Sequence, residues 1–152
     1  ISIDFLRHHV KLIKYLYIYF FDRVTRNIEN EYHTFTGATH YLPGCLIIMV
    51  LFKDQSIIMA SLLTMSIADS FAAIIGIKYG VTRIYNKKSL EGSFVFFIIS
   101  FLILNIFISS ISITISILIA LLVTLVELFS FNYINDNIAI PISCALLIKF
   151  LV

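Results

Sequence analysis

The chain has 152 residues, is 60% hydrophobic and 13% charged, and has a mean hydropathy of +0.99. A soluble domain carries roughly 25% charged residues, so the composition argues against a soluble globular domain and against a disordered tail. A net charge of +2 gives no reason to expect a nucleic-acid partner. An integral membrane protein with a handful of spans remains.

In chain order, the first 20 residues place Ile3, Leu6, Val10, Ile13, Tyr17 and Phe20 at three- and four-residue spacing, with Arg7, Lys11 and Lys14 on another face. That pattern predicts an amphipathic helix lying in the membrane interface, or the end of an upstream span. A polar patch follows, Arg26–His40, containing Arg26, Glu29, Glu31 and His33 ahead of Thr36-Gly37-Ala38-Thr39. The first apolar pair covers roughly 39–52 and 56–77, broken at Lys53-Asp54-Gln55. The uncharged run Gly92–Val126 would form a helix of about 52 Å, too long for one crossing of a hydrocarbon core about 30 Å thick. Its serine-rich middle (Ser109, Ser110, Ser112) predicts a tight hairpin between helices near 92–108 and 111–129. A last apolar run, Ile138–Val152, contains Pro141.

The fold expected is therefore all-α: a polytopic integral membrane protein of about five transmembrane helices behind an N-terminal amphipathic helix. It reads as a single membrane domain over 1–152, with 1–36 as the cytoplasmic N-terminal segment and 37–152 as the core. Segments 1–36 and 78–91 hold nine basic residues (Arg7, Lys11, Lys14, Arg23, Arg26, Lys78, Arg83, Lys87, Lys88). The positive-inside rule then puts them, with 130–137, on the cytoplasmic side. In a prokaryotic cell that membrane would be the plasma membrane.

With so little charge, each polar cluster asks for a reason. Asp69 lies inside an apolar helix, where a carboxylate costs about 2.5–3.5 kcal/mol on insertion scales and usually marks a functional site. Ser66, Asp69, Ala73, Gly76 and Gly80 recur at spacings of three and four. They form a stripe of small residues that would admit a ligand or a second helix. Tyr79–Ser93 carries Arg83, Lys87, Lys88, Ser89, Glu91 and Gly92 just before a helix, a composition suited to anions through lysine charge and helix N-terminal N–H groups; the plainer reading is an ordinary basic loop. Glu127 stands near a helix end, and Asn135-Asp136-Asn137 precede the last helix. These are hard oxygen donors suited to Mg²⁺, or in the plainer reading a turn and N-cap. Cys45 and Cys144 read as buried free thiols.

Glu31 with Thr36–Thr39, IADSFAAIIGIKYG (Ile67–Gly80), KKSLEGS (Lys87–Ser93) and the stretch from Glu127 to NDNIAIP (Asn135–Pro141), in this order, span about 110 residues. In these motifs the chain resembles the CTP-dependent lipid kinases of the dolichol kinase, phytol kinase and yeast-type diacylglycerol kinase family, in a short prokaryotic-type form. It departs from the family at Asn135, where Asp is usual. The resemblance implies transfer of the γ-phosphoryl group of CTP to the hydroxyl of a membrane lipid alcohol, with Mg²⁺ or another divalent cation. It implies that Lys87, Lys88, Ser89, Gly92 and Ser93, with Gly76 and Gly80, meet the nucleotide. Asp69, Asp136 and Glu91 are the catalytic candidates, and Asp69, Asp136 and Glu127 the metal candidates. Arg26, Glu31, Thr36, Gly37 and Thr39 complete the expected site. A homodimer is a further expectation. The rival readings are phosphatidate cytidylyltransferase-like synthesis of a CDP-lipid, and a non-enzymatic transporter subunit or scaffold. The extended acidic signature of the cytidylyltransferases is absent, which favours the kinase.

Overall fold

The computed structural model describes residues 37–85, 88–129 and 135–152. The expected amphipathic helix over 1–20, Arg26, Glu31, Thr36 and Lys87 lie outside the described residues. The chain divides into two compact units, Ile1–Pro43 and Gly44–Val152, where one domain was expected. The boundary falls at Pro43, inside the first described helix.

Five helices account for most of the described residues: α1 (Gly37–Leu51), α2 (Gln55–Tyr79), α3 (Leu90–Phe107), α4 (Ile113–Phe129) and α5 (Asp136–Leu151). Three of them begin where small polar side chains cap them. Asp54 accepts from the Ser56 N–H at 2.8 Å, Ser89 from the Gly92 N–H at 3.2 Å, and Asn135 from the Asn137 N–H at 3.0 Å. Asn135 thus does a job that Asn performs as well as Asp, and its departure from the resembled family falls on a cap. Two helices, Gln55–Tyr79 and Leu90–Phe107, are long and apolar enough to cross a membrane.

Within the second unit, α2 packs against α3, α3 against α4, α4 against α5, and α5 returns to α2, closing a four-helix ring. The tight turn after α3 makes α3 and α4 antiparallel. Asn105 in the last turn of α3 braces them, its amide donating to Ser116 Oγ on α4 at 3.1 Å. At the end holding the start of α2, Ile48, Phe52 and Ala145 form a buried cluster with Ile57, Ile58, Leu62 and Ile142 packed around it. Further core is supplied by Phe96, Leu104, Ile119, Val123, Ile140 and Ile148.

α2 is not a uniform helix. Residues Thr64–Ala68 form a π-turn immediately before Asp69. A π-turn inserts an extra residue into the helical count, and such turns recur at functional sites. It takes Ser66, which lies within it, out of 3.6-residue register with the rest of the expected stripe, while Asp69, Ala73 and Gly76 lie beyond it in regular helix. In the structure Ala72 is buried and Ala73 exposed, so the seam is Ala72, Gly76 and Gly80. The neighbours on that seam are Ser89 and Gly92 at the start of α3. A Cβ on Gly92 would lie 2.8 Å from the Ala72 carbonyl oxygen, and one on Gly80 would lie 2.6 Å from Ser89 Oγ. The space beside Gly76 and Gly80, expected to admit nucleotide or lipid, is filled by another part of this chain.

The stretch between α2 and α3, expected as an irregular loop, carries a small antiparallel hairpin, β1 (Arg83–Tyr85) with β2 (Lys88–Ser89). It delivers Lys88 and Ser89 to the start of α3.

Candidate functional site

The ring topology brings the end of α2, the hairpin, the start of α3, the end of α4 and the start of α5 to one end of the second unit. There Lys88, Ser93, Glu127 and Asp136 meet, although Lys88 is 39 residues from Glu127 and 48 from Asp136. Lys88 Nζ lies 2.8 Å from Glu127 Oε1 and 2.9 Å from Asp136 Oδ2, and it also donates to the Glu127 backbone carbonyl. Ser93 Oγ donates to the other carboxylate oxygen of Glu127 at 3.3 Å. The Glu127 side chain is 6% exposed, Lys88 24% and Asp136 33%, so the cluster opens outward from a buried Glu127.

A carboxylate as buried as Glu127 is strongly destabilising unless paired and hydrogen-bonded. Lys88 and Ser93 supply those partners. Burial by itself lowers the Lys88 pKa, but the hydrogen bonds and charges of Glu127 and Asp136 outweigh it and hold the ammonium above its ordinary value.

The remaining expected residues are placed as follows. Ser89 is 2% exposed and its hydroxyl caps α3. The Gly92 N–H, expected to face a triphosphate, donates instead to that hydroxyl, because an N-cap satisfies the donors that an anion would otherwise take. Glu91 Oε1 accepts from the Thr82 N–H at 3.2 Å and ties the hairpin down, while Oε2 is buried with no hydrogen-bond partner among the described residues. Gly37 and Thr39 lie in the first turn of α1, in the first unit. Asp69 is partly buried and stands three residues before Ala72. Since Ala72 meets Gly92, Asp69 lies about 5 Å deeper along α2 than that contact, by helical rise.

The metal expectation changes most. Among the described residues no group of three His, Cys, Asp or Glu side chains could hold a metal ion. Asp69, Asp136 and Glu127 therefore do not assemble into the expected three-carboxylate set. Glu127 and Asp136 do converge, with an ammonium between them. Two carboxylates and a backbone carbonyl are hard oxygen donors. They suit a Mg²⁺ that shares its coordination with phosphates rather than one caged by protein alone.

Lys88 as the partner of two acids is the feature that sequence reasoning missed. The signal was present: Glu127 is the one charge between Gly92 and Asp136, and a lone acid in so apolar a helix demands a cation.

An uncharacterized protein of Rickettsia prowazekii (strain Madrid E), RP860, is 33% identical to the chain over 151 residues, covering 95% of this chain and 72% of that protein. The chain belongs to that protein's family. A match over so much of the chain takes in the stretch from Lys88 to Asp136, so the whole ion-paired cluster lies within the part shared with the RP860 family. No family model and no solved structure matches the chain.

Proposed function

We propose that the chain is a membrane lipid kinase that transfers the γ-phosphoryl group of CTP to the hydroxyl of a polyprenol, phytol-like or diacylglycerol lipid. The observation that carries this reading is the convergence of Lys88, Ser93, Glu127 and Asp136 at one end of an apolar four-helix ring. Phosphoryl transfer asks a protein mainly for positioning and charge neutralisation. A cluster of both signs at the edge of an apolar body suits the meeting of a water-borne nucleotide with a bilayer-borne alcohol. The resemblance of KKSLEGS and of the Asp69 helix to the CTP-dependent lipid kinases supports the choice of nucleotide and acceptor.

In this reading all five helices cross the bilayer, with the cluster on the cytoplasmic side. The large apolar side chains that the second unit leaves exposed, among them Phe94, Ile98, Leu102 and Ile106 on α3 and Ile117, Leu121 and Leu125 on α4, support it, since lipid would cover them. Glu127 and Asp136 would hold the divalent cation together with the phosphates, and that cation would neutralise charge on the transferring group. Lys88 orients the phosphate oxygens, and Ser93 fixes the Glu127 carboxylate. Asp69, about one turn deeper, receives the lipid hydroxyl and takes its proton.

The test is purified protein in detergent with CTP, Mg²⁺ and a panel of lipid alcohols, with products read by mass spectrometry. CDP and a lipid phosphate are the expected pair. Pyrophosphate and a CDP-lipid would assign the cytidylyltransferase reaction instead. Asp69→Asn is expected to lose turnover while keeping its thermal midpoint, and undiminished turnover would remove Asp69 from the mechanism.

A further inference from the structure

We infer that the segment Lys78–Ile84, at the turn from α2 into β1, is an interfacial anchor: it seats Val81 and Ile84 at the headgroup–acyl boundary of an anionic bilayer, with Lys78 and Arg83 among the phosphates. The inference rests on the bilayer-spanning part of the reading above and is independent of the reaction.

The side chains and the backbone of this corner call for different solvents. Val81 is 87% exposed, more than any other large apolar side chain among the described residues, and Ile84 on β1 is 45% exposed. Leaving both in water forgoes the gain of burying them. Hydrocarbon does not suit their backbone. Among the described residues β1 and β2 make a sheet of two strands, so each keeps an outer edge of N–H and C=O groups that their mutual pairing does not use. Such edges are excluded from the hydrocarbon core, where no water satisfies them. The membrane interface is the layer that meets both demands. The corner stands where that layer would be: it follows Gln55–Tyr79 and precedes Leu90–Phe107, the two helices long and apolar enough to cross a membrane.

The corner is braced. The Thr82 N–H donates to Glu91 Oε1 at 3.2 Å, and the Thr82 carbonyl accepts from the Leu90 N–H at 2.9 Å. Val81 therefore projects from a backbone tied, one residue on, to the first turn of α3, and its insertion orders little that is not already ordered. Charge selects the kind of surface. From Ser70 to Leu90 the sequence holds four cations, Lys78, Arg83, Lys87 and Lys88, and no acid. Lys78 and Arg83 are exposed on either side of Val81 in the sequence. Lys78 Nζ also lies 5.2 Å from the centroid of the Tyr79 ring, and tyrosine is enriched at the level of lipid headgroups. Basic side chains at that level are drawn to anionic headgroups within a Debye length.

The chain contains no tryptophan, so Val81→Trp places a single indole at the corner, and Ile98→Trp places one midway along α3 as a reference. Both positions are exposed, so the larger ring displaces no core. Each full-length variant is reconstituted into nanodiscs of phosphatidylcholine or of phosphatidylglycerol, with acyl chains brominated near the headgroup or near the terminal methyl. Fluorescence is read with and without aqueous acrylamide. Ile98→Trp is expected to be quenched by the deep bromines in both lipids. Val81→Trp is expected to be quenched by the shallow bromines, about twofold more in phosphatidylglycerol than in phosphatidylcholine, and adding Lys78→Gln is expected to narrow that difference. If acrylamide quenches Val81→Trp and neither bromine position does, while Ile98→Trp behaves as expected, the anchor is overturned and the bilayer-spanning reading stands. Equal quenching in the two lipids, or a difference that Lys78→Gln leaves unchanged, overturns the selection of anionic headgroups. Protection from acrylamide and bromines alike assigns the corner to a second copy of the chain and overturns the anchor. No lipid quenching of Ile98→Trp overturns the bilayer-spanning reading and the anchor with it.

Discussion

Replacing Lys88 by Met keeps the length and apolar stem of the side chain and deletes its charge. The structure then leaves the buried Glu127 without its 2.8 Å ion pair and Asp136 without its 2.9 Å ion pair. Removing one member of a buried pair costs about 3–5 kcal/mol. Because Lys88 is 24% exposed and Asp136 33%, water offsets part of that loss, and about 3 kcal/mol is the expected cost. For a chain of this length 1 kcal/mol moves the thermal midpoint by about 2–4 °C, so Lys88→Met is expected to lower it by about 6–12 °C. The assay is thermal unfolding in detergent followed by circular dichroism, run as a double-mutant cycle with Glu127→Gln. The double variant, with both charges gone, is expected to regain more than half of the loss of Lys88→Met. A single variant within about 2 °C of wild type, or a double variant as unstable as the sum of the singles, would refute the pairing as the source of stability.

Two further outcomes follow from the same geometry. The stability that Lys88 contributes depends on pH in a fixed direction: its folded-state pKa is raised above 10.5, so the contribution is fully present below that value and is lost as pH rises through the folded value. The midpoint difference between wild type and Lys88→Met should therefore stay constant from about pH 7 to about pH 10 and shrink above that, and a difference that fades by about pH 9 contradicts it. At the crossing of α1 and α5, Gly44 packs against the Asn137 carbonyl, which Pro141, lacking an N–H, cannot satisfy as an ordinary helical residue would. Gly44→Ala drives a methyl group into that oxygen and is expected to cost about 1–3 kcal/mol by overpacking, read as a lower thermal midpoint, whereas an unchanged midpoint would show that the two helices part easily.

Much of the fold was legible in the sequence because an apolar chain announces its helices by length. The runs expected near 92–108 and 111–129 appear as Leu90–Phe107 and Ile113–Phe129, and the break at Lys53-Asp54-Gln55 appears as the α2 cap. What periodicity does not carry is phase after an irregularity. The π-turn at Thr64–Ala68 takes Ser66 out of register with the stripe that follows it, and no residue type in TMSIA marks such a turn; beyond it, spacings of three and four fit a stripe through Ala72 as well as one through Ala73, and the structure buries Ala72. Nor does spacing reveal pairing across 39 or 48 residues. The residues of the cluster were each singled out, but Lys88 was expected on phosphate and the acids on metal. The structure instead joins them to each other, because a buried carboxylate in an apolar surround is unstable without a counter-charge. The small-residue stripe shows the converse. Its glycines looked like room for a ligand and serve as room for Ser89 and Gly92.

The central claim, that the ion-paired end of the ring transfers a phosphoryl group from CTP to a lipid alcohol, is tested most directly by position-labelled nucleotide. Purified protein in mixed micelles is given CTP labelled in the γ-phosphate, and separately in the α-phosphate, with Mg²⁺ and a panel of polyprenol, phytol and diacylglycerol acceptors, and the lipid fraction is counted. The account predicts that γ-label enters the lipid fraction with at least one alcohol and that α-label stays in water. Alpha-label in the lipid, or no label from any alcohol, would contradict it.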